Sequence, residues 1–355
     1  MEAVLLVGGL GTRLRPLTLR CPKPMLPVAG VPFVAHQLAR AAEAGVTRVV
    51  LATAYRPEVF EQLGSGAEWG VELVLVTEDE PLGTGGAIAN AGPALISGPD
   101  EPVVILNGDV LSGHDLAAQL AMHQNANAAV TLHLVEVDDA RAFGSVPTDK
   151  EGRVTGFLEK SENPPTNQIN AGCYIFRRSV IDAIPAGRVV SVERETFPGL
   201  LESGAVVQAY VETAYWLDLG TPQALVRGSA DVVRGILSSP ALPGPVGDSL
   251  TLAGARVSPE ANLGGGSVVG AGAVVEPGAV VEGSVVQSGA IIRAGAVVTR
   301  SVVGVGSVVG ERTRIEDAVV GDGAVVGADN ELVGGARVWV DVELPDKSVR
   351  VSSDA

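Results

Sequence analysis

Ala3-Val4-Leu5-Leu6-Val7-Gly8-Gly9-Leu10-Gly11-Thr12-Arg13-Leu14-Arg15-Pro16 opens the chain, and Pro22-Lys23-Pro24 follows closely. The apolar run predicts a buried strand that empties into glycines. Glycine lets a backbone bend sharply and approach a ligand, and successive N–H groups in such a bend form an anion cradle. Arg13 adds a planar fork of donors and Lys23 a point charge. The expected occupant is a nucleotide phosphate; the alternative is an ordinary strand-to-helix turn. Two glycine motifs are excluded. Thr12-Arg13 stands where a Walker A loop has Gly-Lys-Ser/Thr, and the third glycine of the dinucleotide fingerprint is missing after Gly11.

Outward from this loop, residues 1 to about 235 alternate apolar strands with helical stretches. Helices are expected over 32–44, 57–63, 84–91, 116–124 and 222–235. Strands are expected over 49–52, 71–76, 103–106, 128–137, 154–159 and 169–176. Alternation of this kind predicts an α/β fold with a Rossmann-like, mostly parallel sheet. Ligands bind such sheets at the carboxyl ends of strands. The opening loop sits at one such end and Asn107-Gly108-Asp109 at another. Asp109 is placed to hold Mg²⁺, which takes one or two carboxylates plus phosphate oxygens and water; a turn or helix-capping aspartate is the alternative.

The pattern changes near Ala128. Asp149-Lys150-Glu151-Gly152 reads as a hairpin turn. Glu159 and Asn170 are candidates to bond hydroxyls, Lys160 to hold a second phosphate, and Asp218 to be a second metal carboxylate. Each is equally readable as a strand end, turn or cap. Pro240, Pro243 and Pro245 mark a linker over 236–250. Beyond it, Val257, Leu263, Val269, Val275 and Val281 recur every six residues. The phase slips by one residue and resumes at Val286, Ile292 and Val298, again at Val303, Val309 and Ile315, and again at Val320, Val326, Leu332 and Val338. Each slip falls at a Ser/Ala-Val-Val triplet, read as an altered corner. Hexapeptide repetition of small and branched residues predicts a left-handed parallel β-helix over 251–345, with a tail over 346–355. Fifteen units at three per coil make about five coils, roughly 24 Å tall at about 4.8 Å each.

Composition narrows the function. A net charge of −16 excludes a nucleic-acid polyanion as partner. Positive charge must then be concentrated locally or supplied by a metal. Of 25 basic residues only Lys23, Lys150, Lys160 and Lys347 are lysine, and two of these sit in the motifs above. Cys21 and Cys173 make neither a disulfide framework nor a metal-ligand cluster, which fits free thiols in a reducing cytoplasm. No signal peptide or membrane span is expected. All four histidines precede the repeats, so the β-helix lacks the histidine base of hexapeptide acyltransferases and is expected to serve assembly or regulation.

Residues 1–235 resemble the sugar-1-phosphate nucleotidyltransferases, or nucleotide-sugar pyrophosphorylases. The matching segments are Gly8 to Thr18, Pro22-Lys23-Pro24, Glu80-Pro81-Leu82-Gly83-Thr84-Gly85-Gly86-Ala87, Asn107-Gly108-Asp109, Glu159-Lys160, Ile169-Asn170-Ala171-Gly172 and Trp216-Leu217-Asp218-Leu219-Gly220-Thr221-Pro222. With Ser191 to Pro198 added, they look most like the mannose-1-phosphate guanylyltransferases within that family. Ser161 departs from the proline usual after Glu-Lys. The resemblance implies that Leu6, Gly8, Gly9, Gly11, Thr12, Arg13, Lys23, Glu80, Leu82, Gly83, Thr84, Asn107 and Gly108 bind the nucleotide. It implies that Arg13, Lys23 and Asp109 are catalytic and that Asp109 and Asp218 hold Mg²⁺. Gly144, Glu159, Lys160, Asn170, Gly172 and Trp216 would bind the sugar phosphate. The implied substrates are an NTP, GTP first, and a hexose 1-phosphate, mannose 1-phosphate first. Adenylyl, thymidylyl or uridylyl transfer onto glucose 1-phosphate, or a non-catalytic regulatory homologue, are the alternatives. A homo-oligomer joined through the β-helix is implied as well.

Overall fold

Apolar runs of five to seven residues set the first sheet. In the computed structural model, which describes residues 1–158, 162–242, 244 and 247–350, they form β1 (Glu2–Leu6), β2 (Arg48–Thr53), β3 (Glu72–Thr77), β4 (Pro102–Asn107) and β5 (Val130–Glu136). With β6 (Gln168–Arg177) and β7 (Val207–Glu212) they make seven strands in the order β7-β5-β6-β4-β1-β2-β3. β1 runs parallel to β2 and β4, β2 to β3, and β7 to β5. Only β6 is reversed, against both β4 and β5. The carboxyl ends of β1 and β4 and the amino end of β6 therefore share one edge. Val4, Val50, Ile105, Leu132, Tyr174 and Phe176 fill the core of this layer, each essentially inaccessible.

The helices are α1 (Phe33–Glu43), α2 (Gly83–Ala91), α3 (Leu116–Asn125), α4 (Arg178–Asp182), α5 (Phe197–Glu202) and α6 (Pro222–Val233). Asp115 caps α3 and Thr221 caps α6 through side-chain oxygens on the N–H three residues on. Residues 57–63 are a 3₁₀ helix rather than an α-helix, ended by Gly64 at φ 57°. The strand expected over 154–159 does not form in the described part. That segment pairs only through single bridges, Thr148–Val154, Arg153–Gln208 and Ser145–Leu158. Pro147 lacks an N–H and Gly156 has no side chain to pack, so no ladder propagates. The expected turn at 149–152 is present, with the Gly152 N–H on the Asp149 carbonyl at 3.1 Å.

By backbone proximity the chain divides into two compact units. One is Met1–Gly9 with Gln37–Trp216; the other is Leu10–His36 with Leu217–Ala355. The second unit holds the repeats as three parallel sheets of six, six and five strands, the stack of a left-handed β-helix. Val269, Val275, Val281, Val286, Ile292 and Val298 line its interior at 0–1% exposure. Val268 pairs with Val285 and Val285 with Val302, seventeen residues per coil, whereas Ser249 pairs with Ser267, eighteen residues on. The shortened corners are stitched by buried serines. The Ser301 N–H donates to the Ser284 hydroxyl at 3.1 Å, and the Ala318 N–H to that of Ser301 at 3.0 Å. On the first sheet the outward side chains Val268, Val285, Val302 and Val319 are also buried, at 0–3%. α6 packs on this sheet, and the Ser229 hydroxyl of α6 accepts from the Ala29 N–H at 2.8 Å.

Candidate functional site

The opening loop is anchored by its own short-range bonds. Gly11 sits at φ 58°, the left-handed conformation glycine tolerates. Its carbonyl accepts from the Thr18 hydroxyl at 2.9 Å and the Leu14 N–H at 3.0 Å. A side chain at 11 would also meet Thr18 and Lys23 at about 3 Å. Leu14 and Leu17 are buried, so Thr12 and Arg13 are left outward on a fixed turn. Lys23 is itself buried, at 8% exposure. Its Nζ lies 3.6 Å from Oδ1 of Asp218, and Arg13 Nη2 lies 3.7 Å from Oδ2. Oδ1 of Asp218 is buried and accepts no hydrogen bond among the described residues. One carboxylate thus gathers both cations singled out in the sequence. Gly220 lies against them: a Cβ there would stand 2.7 Å from Cζ of Arg13.

At the sheet edge of the other unit, the Gly108 N–H bonds the Leu6 carbonyl at 2.9 Å, so the turn after β4 crosses the end of β1. A Cβ at 108 would collide with that carbonyl, which is why glycine stands there. Gly8 packs on the Ala54 backbone, while Gly9 faces open space. Asp109 is half-buried in the turn. Gly172, at φ 80°, places its backbone on Asn107: an added Cβ would be 2.8 Å from Nδ2. Asn170 donates to the Tyr174 hydroxyl at 2.7 Å and accepts from the Gly172 N–H at 3.0 Å. Burial, with Glu193 nearby, pushes the Tyr174 phenol well above its ordinary range, so it stays protonated. The Trp216 indole donates to the Ala171 carbonyl at 3.0 Å and meets Phe143 edge-on at 5.8 Å. Gly144 follows Phe143, with an added Cβ 3.2 Å from the Leu158 carbonyl. Gly144, Asn170, Gly172 and Trp216 are therefore brought together. Glu159 and Lys160 lie outside the described residues.

The Gly83-Thr84-Gly85-Gly86 run has a packing role besides any role toward nucleotide. The N–H groups of Gly85 and Gly86 both point at the Val190 carbonyl, at 2.8 and 3.3 Å. The Thr84 hydroxyl bonds Glu193 at 3.1 Å and takes the Val192 N–H at 3.0 Å. Leu82 is half-buried and donates its N–H to the Glu78 carboxylate at 2.8 Å, and Glu80 is exposed. Thr18, Tyr174, Glu193 and Gly220 were not assigned to the site from sequence. Thr18, Glu193 and Gly220 fall inside quoted motifs, whereas nothing local marks Tyr174 as a partner.

His114, His133 and Glu212 form a separate buried group close enough to share a metal ion. They are already engaged. The two rings stack at 3.8 Å, Glu212 bonds Nδ1 of His114 and stands 2.9 Å from Nε2 of His133, and Nε2 of His114 meets Gln119 at 2.7 Å. Burial raises Glu212, but the bond from His114 and the close His133 ring hold it well below the usual carboxylate range. The group ties β5 to β7.

Comparison with known proteins agrees with the fold. A family model described as nucleotidyl transferase matches residues 2–235, and one described as the GMPPB C-terminal domain matches 246–354. The mannose-1-phosphate guanylyltransferase of Mycobacterium tuberculosis is 56% identical over 356 residues, covering 100% of this chain and 98% of its own. The catalytic subunit beta of the Drosophila pseudoobscura pseudoobscura enzyme is 38% identical over 75% of this chain and 71% of its own. The crystal structure of HddC from Yersinia pseudotuberculosis complexed with GMP-PN has a TM-score of 0.54 at 30% identity, covering 64% of this chain and 97% of that one. Agreement that runs from the first strand to the last coil makes this chain a member of the nucleotidyl transferase family.

Proposed function

We propose that this protein transfers the guanylyl group of GTP to mannose 1-phosphate, giving GDP-mannose and pyrophosphate. The observation that carries the assignment is the full-length identity with the mycobacterial guanylyltransferase; the guanine nucleotide held by the HddC neighbour is consistent with it. A phosphate oxygen of the sugar phosphate attacks the α-phosphorus, the new P–O bond forms, and the bond to the β-phosphate oxygen breaks in line. A phosphate monoester has its second pKa near about 6 and is mostly dianionic at neutral pH. No side-chain base is required. What the protein must do is bring two polyanions together, which is positioning and charge neutralisation.

Arg13 is assigned to the departing β- and γ-phosphates and Lys23 to the phosphates near the reacting centre. Asp218 lies within ion-pair reach of both cations, so a bound triphosphate would compete with it for them. Family members generally use a divalent metal, and we assign Mg²⁺ here to Asp109 and Asp218. The buried Oδ1 of Asp218, which accepts no hydrogen bond among the described residues, fits a metal ligand. When bound, the ion supplies charge neutralisation on the triphosphate. Leu6, Gly8, Gly9, Gly11, Thr12, Glu80, Leu82, Gly83, Thr84, Asn107 and Gly108 are assigned to the nucleotide. Gly144, Asn170, Gly172 and Trp216, with Glu159 and Lys160, are assigned to the mannose phosphate.

The same reading takes 1–235 as the transferase domain, 236–250 as linker and 251–345 as a β-helix through which identical chains assemble in the cytoplasm. No helix among the described residues is long and apolar enough to cross a membrane. The test is pyrophosphate release with each of four NTPs against mannose 1-phosphate and glucose 1-phosphate, with and without Mg²⁺. Activity confined to GTP with mannose 1-phosphate is expected, and preference for another pair overturns the substrates. Asp109→Ala should lower turnover at least about a hundredfold, the scale of one lost electrostatic group; near-normal turnover removes Asp109 from the metal.

A further inference from the structure

The last coil of the β-helix departs from the pattern of the coils before it at two places, and both departures reach the opening loop. The first lies on the outward face of the covered sheet. Val268, Val285, Val302 and Val319 occupy successive rungs of one column, all buried. The next rung, paired with Val319, is Arg337. An arginine ending a column of valines is not required by the β-helix, whose interior at this rung is closed by Val338. Nη1 of Arg337 donates to the Arg13 carbonyl at 2.9 Å and to the Arg15 carbonyl at 2.6 Å.

The second lies at a corner. Gly254, Gly272, Gly289, Gly306 and Gly323 turn successive coils at φ 64–75°. The next corner of the same column is Asp341, at φ 57°. Aspartate tolerates this conformation better than most side chains but less well than glycine. Its carboxylate makes a two-point ion pair with the guanidinium of Arg20, the Nη1–Oδ1 contact being 3.2 Å. The loop is thus gripped on either side of Leu14 and Leu17, at the backbone of 13 and 15 and at the side chain of 20.

We propose that Arg337 is a positioning residue for nucleotidyl transfer, holding the backbone of Arg13 and Arg15 from the last coil of the β-helix, with Asp341 as its second hold on the loop. It touches no reacting atom. It acts by fixing the peptide planes from which the Arg13 side chain extends toward Asp218, so the assignment rests on Arg13 being the triphosphate contact. A misplacement of about 1 Å at such a residue costs up to about a hundredfold in rate. The β-helix of this chain then belongs to the machinery of each single subunit, apart from any part it takes in assembly.

The experiment uses the full-length chain, with steady-state rates for GTP and mannose 1-phosphate and thermal unfolding recorded for every variant. Arg337→Ala should lower kcat about tenfold or more and raise KM for GTP, with KM for mannose 1-phosphate and the unfolding midpoint unchanged. Arg337→Lys should recover part of the loss, since one ammonium can reach one carbonyl but lacks the planar fork. Asp341→Gly restores the corner glycine and should keep the fold while slowing turnover severalfold; it carries the test if Arg337→Ala does not fold. The double variant Arg13→Ala/Arg337→Ala should be no slower than Arg13→Ala alone, because residues acting as one unit are not additive. Wild-type kcat in Arg337→Ala, or additive losses in the double variant, overturns the positioning role. Wild-type kcat in Arg13→Ala overturns the reading of the loop itself.

Discussion

Replacing Gly220 by alanine is the smallest change that reaches the charge cluster. The new methyl carbon would stand 2.7 Å from Cζ of Arg13 and 2.9 Å from Oδ1 of Asp218. Comfortable separations between such heavy atoms are about 3.5–4.0 Å, so the guanidinium must move by about 1 Å. That movement costs the fold little, because Arg13 is a flexible side chain with 65% of its surface exposed. Gly220 is not at positive φ, so alanine adds no backbone strain. The cost falls on the reaction instead. A group displaced by about 1 Å from transferring phosphates loses about a hundredfold in rate, or about 2.7 kcal/mol of barrier. The assay is initial-rate pyrophosphate release from GTP and mannose 1-phosphate at saturating substrate, paired with a thermal melt. The expected result is a low kcat at an unchanged melting temperature. A kcat within threefold of the parent would show that the position of Arg13 does not govern turnover.

Two further outcomes concern stability. His123 is buried against the Thr131 hydroxyl at 2.9 Å, and burial, with Arg177 nearby, lowers it to about 4. Unfolded, it titrates near about 6.5, so the unfolded chain binds the extra proton first and stability falls as pH drops from about 6.5 to 4, by up to about 3 kcal/mol. His123→Gln should flatten that limb in urea titrations at pH 7 and 4.5, and an unchanged slope would exclude His123 as its source. In the β-helix, a Cβ at Gly270 would lie 2.6 Å from the backbone of Gln287 and Ser288 on the next coil. Backbone cannot swing aside as a side chain can, so Gly270→Ala should destabilise by about 1–3 kcal/mol, seen as a lowered unfolding midpoint; an unaltered midpoint would mean that the coils are not packed this tightly.

How far the sequence revealed all this depended on the range of the interaction. The hexad of branched residues from Val257 to Val338 repeats locally, so the β-helix was legible, including its slips at Ser284, Ser301 and Ala318, where coils shorten to seventeen residues. The loop cations were legible because Arg13 and Lys23 flank glycine and proline within a dozen residues. Strand direction was not. The pattern of Ile169 to Phe176 is the same read either way, yet the reversal of β6 is what delivers Asn170 and Gly172 to Asn107. Val207-Gln208-Ala209-Tyr210-Val211-Glu212 was not read as a strand, though it closes the sheet edge on β5. The packing of Gly83 and Gly85 was not legible, because their tightest neighbour, Val190, is about a hundred residues away. Arg337 gave no signal, since a guanidinium on a carbonyl over three hundred residues distant leaves no periodicity.

A parallel β-helix can in principle lengthen by whole coils, each new turn stacking on the last at little cost to its neighbours. Here that freedom is removed. One extra coil ahead of Arg337 would carry its guanidinium about 4.8 Å along the stack, well beyond reach of carbonyls it now meets at 2.6 and 2.9 Å. The number of coils therefore acts as a ruler, setting how far from its own beginning the C-terminal domain must present a single arginine.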